Sequence, residues 1–196
     1  IRNYANVFAK PMSSAQPNTP TLVFVHDSWS DRIVSRLIAS GMRGDSVSAA
    51  LARNSTCRLH EFAQAYHTTR REGTTLPLST LEFESRETDG SQPTTLPNGV
   101  VVRARPGEQL TQECLAEAAS DRAGTIPLMP LLWQGDLPGI PGSGAMFVRD
   151  LGPETNARLT ARFPGRSVGV LYRRFEDGLP VLVPYSEGMQ ALWGEG

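Results

Sequence analysis

Lysine is almost missing from this chain. Lys10 stands alone beside eighteen arginines, and the 19 basic residues face 20 acidic ones for a net charge of -1. A balance so near zero excludes a nucleic-acid binder that works through a broad positive surface, and the arginine skew reads as coding bias. Long hydrophobic runs are also missing. The longest apolar stretches, Leu22–Val25 and Pro127–Trp133, fall far short of the ~18 residues a membrane helix needs. Cysteine is scarce. Cys57 and Cys114 are too few and too far apart for zinc and form no C-x-x-C pair. In an oxidising compartment they can close one disulfide, worth on the order of 4 kcal/mol by chain entropy; in a reducing one they are two buried thiols. An initiator methionine is missing too, and Ile1 opens neither a basic nor an apolar leader, so the expectation is a processed product or a piece of a longer protein.

What is present describes a folded, loop-rich domain. Residues of the AVILMFWYC set make up 39%, and 18 Gly plus 15 Pro give 33 of 196, about 17% and below the ~25–30% of low-complexity chains. At 196 residues against ~150 per domain, one domain is expected. Residues 1–20 read as a proline-bearing entry arm and 21–196 as a single α/β domain, with a polar loop near 84–98 and a Pro/Gly-rich loop near 127–143.

Thr21–Val25 and Ala145–Val148 are continuous apolar runs, the pattern of strands buried on both faces. After the first, Ile33, Val34, Leu37 and Ile38 recur at helical spacing up to Gly41, with Ser30 as the expected cap. A second helix is expected with Asp45 as cap and Val47, Ala50 and Leu51 on one face, and a third with Leu59, Phe62, Ala63 and Tyr66. Leu76–Phe83 alternates like a strand, and Val100–Val102 reads as another. Thr111 caps a helix carrying Leu115, Ala118 and Ala119. Gly152-Pro153 opens one with Ala157, Leu159 and Phe163, since proline is favoured at the first helical position. Val168–Tyr172 and Val181–Val183 flank a turn at Asp177-Gly178 as a closing hairpin. The pattern predicts a three-layer α/β fold with a mostly parallel, Rossmann-like sheet and an antiparallel C-terminal hairpin strand. If both apolar strands are parallel, His26, Asp27, Trp29, Arg149 and Asp150 gather at the carboxyl edge, where open α/β sheets bind ligands.

No catalytic constellation emerges. Gly165-Arg166-Ser167-Val168-Gly169 matches G-x-S-x-G, but its serine follows a helix and opens a strand, the reverse of a nucleophile elbow. Pro141-Gly-Ser-Gly144 lacks the G-K-[ST] of a phosphate loop, and no G-x-G-x-x-G follows the first strand. His26, His60 and His67 lack metal spacing, so neither a metal nor a cofactor is expected. Glu82, Glu84 and Glu87 sit beside the polar loop without a paired-carboxylate pattern. Arg70-Arg71 and Arg173-Arg174 read as solvated doublets, and Asn54-Ser55-Thr56 as a chance sequon. At the sheet edge the readings favoured are helix capping by the His26-Asp27-Ser28-Trp29 junction and an ion pair at Arg149-Asp150.

Four strings together, Val23–Trp29 (VFVHDSW), Leu131–Gln134 (LLWQ), Val148–Asn156 (VRDLGPETN) and Pro184–Gly188 (PYSEG), resemble the soluble C-terminal domain of large bacterial polytopic membrane glycosyltransferases of the GT-C type, which use polyprenyl-phosphate-linked sugars. The resemblance covers Thr21 to the end. It implies an extracytoplasmic, periplasmic or cell-surface location, consistent with a Cys57–Cys114 bridge, and membrane association through a segment or partner outside these residues. Its catalytic aspartates lie in the membrane part of that family, so no catalytic residue carries over. The implied role is acceptor binding or support of the membrane part, with a membrane-embedded portion or membrane protein as partner, a glycan or lipid-linked sugar as ligand, and no nucleic acid. Two other readings stand beside it: a secreted or periplasmic structural subunit of a larger assembly, and a free-standing α/β enzyme with its site at the sheet edge.

Overall fold

The computed structural model describes residues 20–71, 90–96, 99–121, 125–132, 135–136 and 144–194. The described chain divides into two compact units, one built from 20–28 and 125–194 and the other from 29–121. Residues 1–19 of the entry arm, the expected strand at Leu76–Phe83, residues 84–89 and 97–98 of the polar loop and residues 133–134 and 137–143 of the Pro/Gly-rich loop lie outside the described residues.

The first unit is the expected α/β sheet. Strands β1 (Thr21–Val25), β4 (Ala145–Arg149), β5 (Ser167–Arg173) and β6 (Pro180–Pro184) lie in the order β4-β1-β5-β6. β1 runs parallel to both neighbours, pairing Val25 with Arg149 and with Leu171, while β6 returns antiparallel to β5. Because side chains alternate across a strand, β1 feeds two cores. Leu22 and Phe24 join Met146, Val170 and Tyr172 on one face. Val23 and Val25 join Phe147 and Leu171 on the other. The first face is covered by α6 (Pro153–Thr160) through Leu159 and by α7 (Tyr185–Trp193) through Met189 and Leu192. The second is covered by Ile126, Leu128 and the short helix α5 (Met129–Leu132) through Leu131. This is the three-layer, mostly parallel arrangement expected from the sequence.

Helix α7 was not anticipated, since the reading ended at the hairpin. It packs close to the sheet because Gly188 is bare: a Cβ there would lie 2.5 Å from Val170 Cβ. Gly188→Ala should therefore destabilise by about 1–3 kcal/mol through overpacking. Urea unfolding measures it; a midpoint unchanged from the parent would mean that the helix can shift at no cost.

The second unit is mostly helical: α1 (Trp29–Ala39), α2 (Gly44–Arg53), α3 (Thr56–Arg71), a ribbon of β2 (Gln92–Thr95) antiparallel to β3 (Val101–Ala104), and α4 (Gln112–Ala119). Trp29, Ile33, Leu37, Val47, Leu59, Ala63, Val102 and Ala118 share its core. Several boundaries depart from expectation. α1 begins at Trp29, so Ser30 lies inside its first turn instead of capping it, while Gly41 ends it with φ +95 as expected. α2 has Arg43 at its cap position with no side-chain cap bond, and Asp45 sits in the first turn. β2 falls within the stretch read as polar loop, because Gln92 to Thr95 are held by their pairing with β3 and not by burial. Thr111 caps α4 as expected, its side chain accepting from Cys114 N. Cys57 on α3 is disulfide-bonded to Cys114 on α4, with the Cα atoms 5.5 Å apart and both residues buried. Among the described residues no helix is long and apolar enough to cross a membrane.

Candidate functional site

The parallel pairing of β1 with β4 brings His26, Asp27, Arg149 and Asp150 together at the carboxyl edge of the sheet. Asp150 continues the ladder, its N–H donating to Val25 O at 2.9 Å. The backbone of His26 is engaged on both sides, donating to Leu171 O (2.9 Å) and accepting from Ile126 N (3.1 Å).

Asp150 is fully buried and its carboxylate has four partners. Oδ2 contacts His26 Nδ1 at 2.7 Å and accepts from Trp193 Nε1 at 3.0 Å; Oδ1 accepts from Gly152 N at 3.0 Å and Asn156 Nδ2 at 2.7 Å. Burial pushes this carboxyl up, but the hydrogen bond and charge of His26, then Asn156 and the Gly152 amide, outweigh it and hold the group below its ordinary value. The His26 ring, 1% exposed, meets Trp193 edge-on at 6.2 Å. Asn156 returns a second bond by accepting from Leu151 N at 3.1 Å, so α6 begins on a turn whose polar groups converge on Asp150.

Asp27 forms a second, shallower group. Its Oδ2 accepts from Arg149 Nε (3.1 Å) and Nη2 (2.8 Å), and its Oδ1 from Ser28 N (2.9 Å). A two-pronged guanidinium contact of this kind fixes orientation as well as charge. The ion pair joins Arg149 to Asp27 across the strands, while Asp150 turns inward to His26. Trp29 belongs to the helical unit, where its ring lies in the core and its backbone N–H donates to Asp121 Oδ2.

The motifs set aside in the sequence stay set aside where they are described. Ser167 opens β5 and bonds Thr21 Oγ1 (2.9 Å), at the strand end opposite the carboxyl edge. Asn54 is buried and donates from Nδ2 to Ala50 O (3.1 Å), so it presents no glycosylation acceptor. Arg173 bonds the carbonyls of Thr125 (3.1 Å) and Gly178 (2.9 Å), and Arg174 pairs with Asp177. Glu82, Glu84, Glu87 and the side chains of His67, Arg70 and Arg71 lie outside the described residues. No group of three metal-ligating side chains exists among the described residues.

A second polar centre, which the sequence reading missed, lies inside the helical unit. Arg32 on α1 is fully buried. Its Nε donates to Glu117 Oε2 (3.1 Å), Nη1 to Asp121 Oδ1 (2.8 Å), and Nη2 to Glu117 O (3.0 Å) and Ser120 Oγ (2.8 Å). Arg36 donates to Glu117 Oε1, and His60 Nε2 stands 3.6 Å from the same oxygen. Burial pushes the Glu117 carboxyl up, but His60, Arg36 and Arg32 together bring it down to about 2. The available signal was Arg32 itself, three residues after Trp29 on the apolar stripe of α1 where an unpaired charge would be costly.

Chemically, the sheet edge holds a carboxylate whose acceptor positions are taken up by its own chain and a half-buried ion pair. Neither a family model, nor a curated protein, nor a solved structure matches the chain.

Proposed function

We propose that this chain is a non-catalytic, extracytoplasmic domain of a membrane glycosyltransferase-like protein, serving acceptor binding or assembly. The observation that carries the non-catalytic part is the saturation of the sheet edge: His26 is 1% and Asp150 0% exposed, and Asp150 spends its acceptor sites on four groups of its own unit. A general base or nucleophile must reach the proton or atom it acts on, and these two are closed in. The disulfide supports the extracytoplasmic part, because such bonds persist chiefly in oxidising compartments. The transferase part rests on the four resembling strings, two of which, Val23–Trp29 and Val148–Asn156, contain the strand ends that meet at this edge.

The test is the coding sequence before Ile1 together with a substitution. Membrane spans in the same frame, and a transfer rate within about twofold of the parent after Asp27→Asn, are expected. A reading frame that opens near Ile1 with a cleavable signal peptide overturns the transferase reading. A fall of about 100-fold or more in rate, with folding intact, overturns the non-catalytic one.

A further inference from the structure

The Cys57–Cys114 bond joins two residues of the helical unit, one on α3 and one on α4, over a sequence separation of 57. We propose that it is a redox latch on this unit alone. Oxidised, it keeps residues 29–121 folded; once a dithiol has reduced it, the unit opens while the sheet unit stays folded.

The interior of the helical unit is poorly suited to hold itself together. Trp29 Nε1, Asn54 Oδ1 and both ring nitrogens of His60 are buried with no hydrogen-bond partner, and Asn54 and His60 are 0% exposed. Each buried polar group left in this way costs roughly fivefold or more in the folding equilibrium. Beside them the unit buries the ion cluster of Arg32, Glu117 and Asp121, which contributes less to stability than an apolar core of the same volume. In the sheet unit the described groups of this kind are two hydroxyls, those of Thr160 and Tyr185, on residues that are only half-buried. A disulfide that closes a loop of about this length shifts a folding equilibrium by roughly a thousandfold, chiefly by restricting the unfolded chain. Both cysteines lie within 29–121, so that restriction falls on the unit with the unpartnered interior.

The bond also sits beside the cluster it protects. Cys57 stands three residues before His60 on α3, and Cys114 three before Glu117 on α4. Residues three apart share a helix face, so the disulfide and the 3.6 Å approach of His60 Nε2 to Glu117 Oε1 are successive rungs between the same two helices. Cutting the first rung frees α4 to leave α3 and lets water reach the carboxylate that holds Arg32 and Arg36.

Both cysteines are buried, at 1% and 0% exposure, and thiol–disulfide exchange requires a thiolate to reach a sulfur. The closed unit therefore resists attack, and exchange follows opening. A dithiol thiolate then bonds to one cysteine sulfur and releases the other as a thiolate, which takes up a proton. The second thiol of the reagent displaces the first cysteine and closes the reagent's own disulfide. The protein gains two electrons and two protons, and both cysteines end as thiols. Folding of the helical unit is thereby tied to an oxidising compartment, whatever the rest of the chain does there.

Hydrogen exchange of the full chain at pH 7, read by mass spectrometry, compares the oxidised protein with protein reduced in dithiothreitol and with the variant Cys57→Ala, Cys114→Ala without reductant. Amides of α1, α3 and α4 should exchange at least about 100-fold faster in both altered forms, and those of β1, β4 and β5 within about threefold of the oxidised protein. A smaller change in the helices makes the bond a bystander and overturns the proposal. Loss of protection in the strands together with the helices, including failure of the variant to fold at all, overturns it too, because the latch would not be confined to one unit. The rate of reduction gives an independent reading: at fixed dithiothreitol it should rise with urea in step with exchange of the helical amides. A rate equal to that of oxidised glutathione and indifferent to urea would show a bond open to attack in the folded unit. The coding sequence before Ile1 enters none of these outcomes, so the latch and the transferase reading fail separately.

Discussion

Asp150→Ala lowers the stability of the sheet unit by roughly 3–5 kcal/mol, a large share of the ~5–15 kcal/mol that holds a typical domain together. The effect is large because the carboxylate is the common acceptor of four groups: His26, Trp193, Gly152 N and Asn156. Its removal strands these donors in a buried site, and each stranded group costs about 1–3 kcal/mol before the structure relaxes. Asp150→Asn keeps the shape but sets an NH2 against groups that are themselves donors, so it should recover less than half of the loss. Urea unfolding followed by Trp193 fluorescence reports on the cluster directly. A shift below about 1 kcal/mol for Asp150→Ala would show that the donors find other partners and that this edge is more yielding than its geometry suggests.

The second large effect belongs to the helical unit. Glu117→Ala leaves Arg32 buried with Asp121 as its remaining carboxylate partner and removes the contact of Arg36. Breaking a buried ion cluster from one side costs roughly 3–5 kcal/mol. The same carboxylate makes the unit acid-sensitive. Its native pKa of about 2 lies below the ordinary glutamate value of 4.5, so the unfolded chain takes up the proton first. The stabilisation is therefore complete above about pH 4.5 and drains away as pH falls toward 2, amounting to roughly 3 kcal/mol over that window. Asp150, also held below its ordinary value, acts in the same direction. Thermal melts from pH 6 to pH 2 should fall steeply below about pH 4.5 in the parent, with a shallower slope in Glu117→Gln. Parallel slopes in the two proteins would remove Glu117 as the cause.

The α/β class and the sheet edge were legible because two runs, Leu22–Val25 and Ala145–Val148, are apolar on both faces, as strands of a sheet covered on both sides are, whether interior like β1 or at the edge like β4. Their shared direction then places His26 and Asp27 beside Arg149 and Asp150 with no further information. The division into two units was not legible. Helical periodicity shows which face of a segment is buried, not which core buries it, so Trp29 read as a neighbour of Asp27 when its ring serves the helical core. β2 was hidden because Gln92-Pro93-Thr94-Thr95 carries no apolar signal; it is made by backbone pairing, in a position where proline is tolerated. The Glu117 centre was hidden for a different reason. It takes side chains from α1, α3 and α4, and nothing in local spacing ties Arg32 to a carboxylate 85 residues later. Its arginines also revise the view that the lysine-poor composition is bias alone. Arg32 reaches acceptors on three residues, Glu117, Ser120 and Asp121, from one rigid fork, which an ammonium could not span.

β1, an interior strand, is synthesised first of the four strands of its sheet and waits longest for a partner. Both partners of β1 begin more than a hundred residues downstream, at Ala145 and Ser167. The helical unit emerges between them as a closed excursion, its first residue Trp29 bonded to Asp121 near its end. At ribosomal rates of ~5–20 residues per second, Thr21–Val25 then waits roughly 6–25 s for a neighbour. Over that interval it is a β-prone apolar segment with both edges open, the kind of sequence that nucleates aggregation. Production of this protein is therefore governed less by the strength of the finished sheet than by how well one nascent strand is shielded until the rest of its sheet exists.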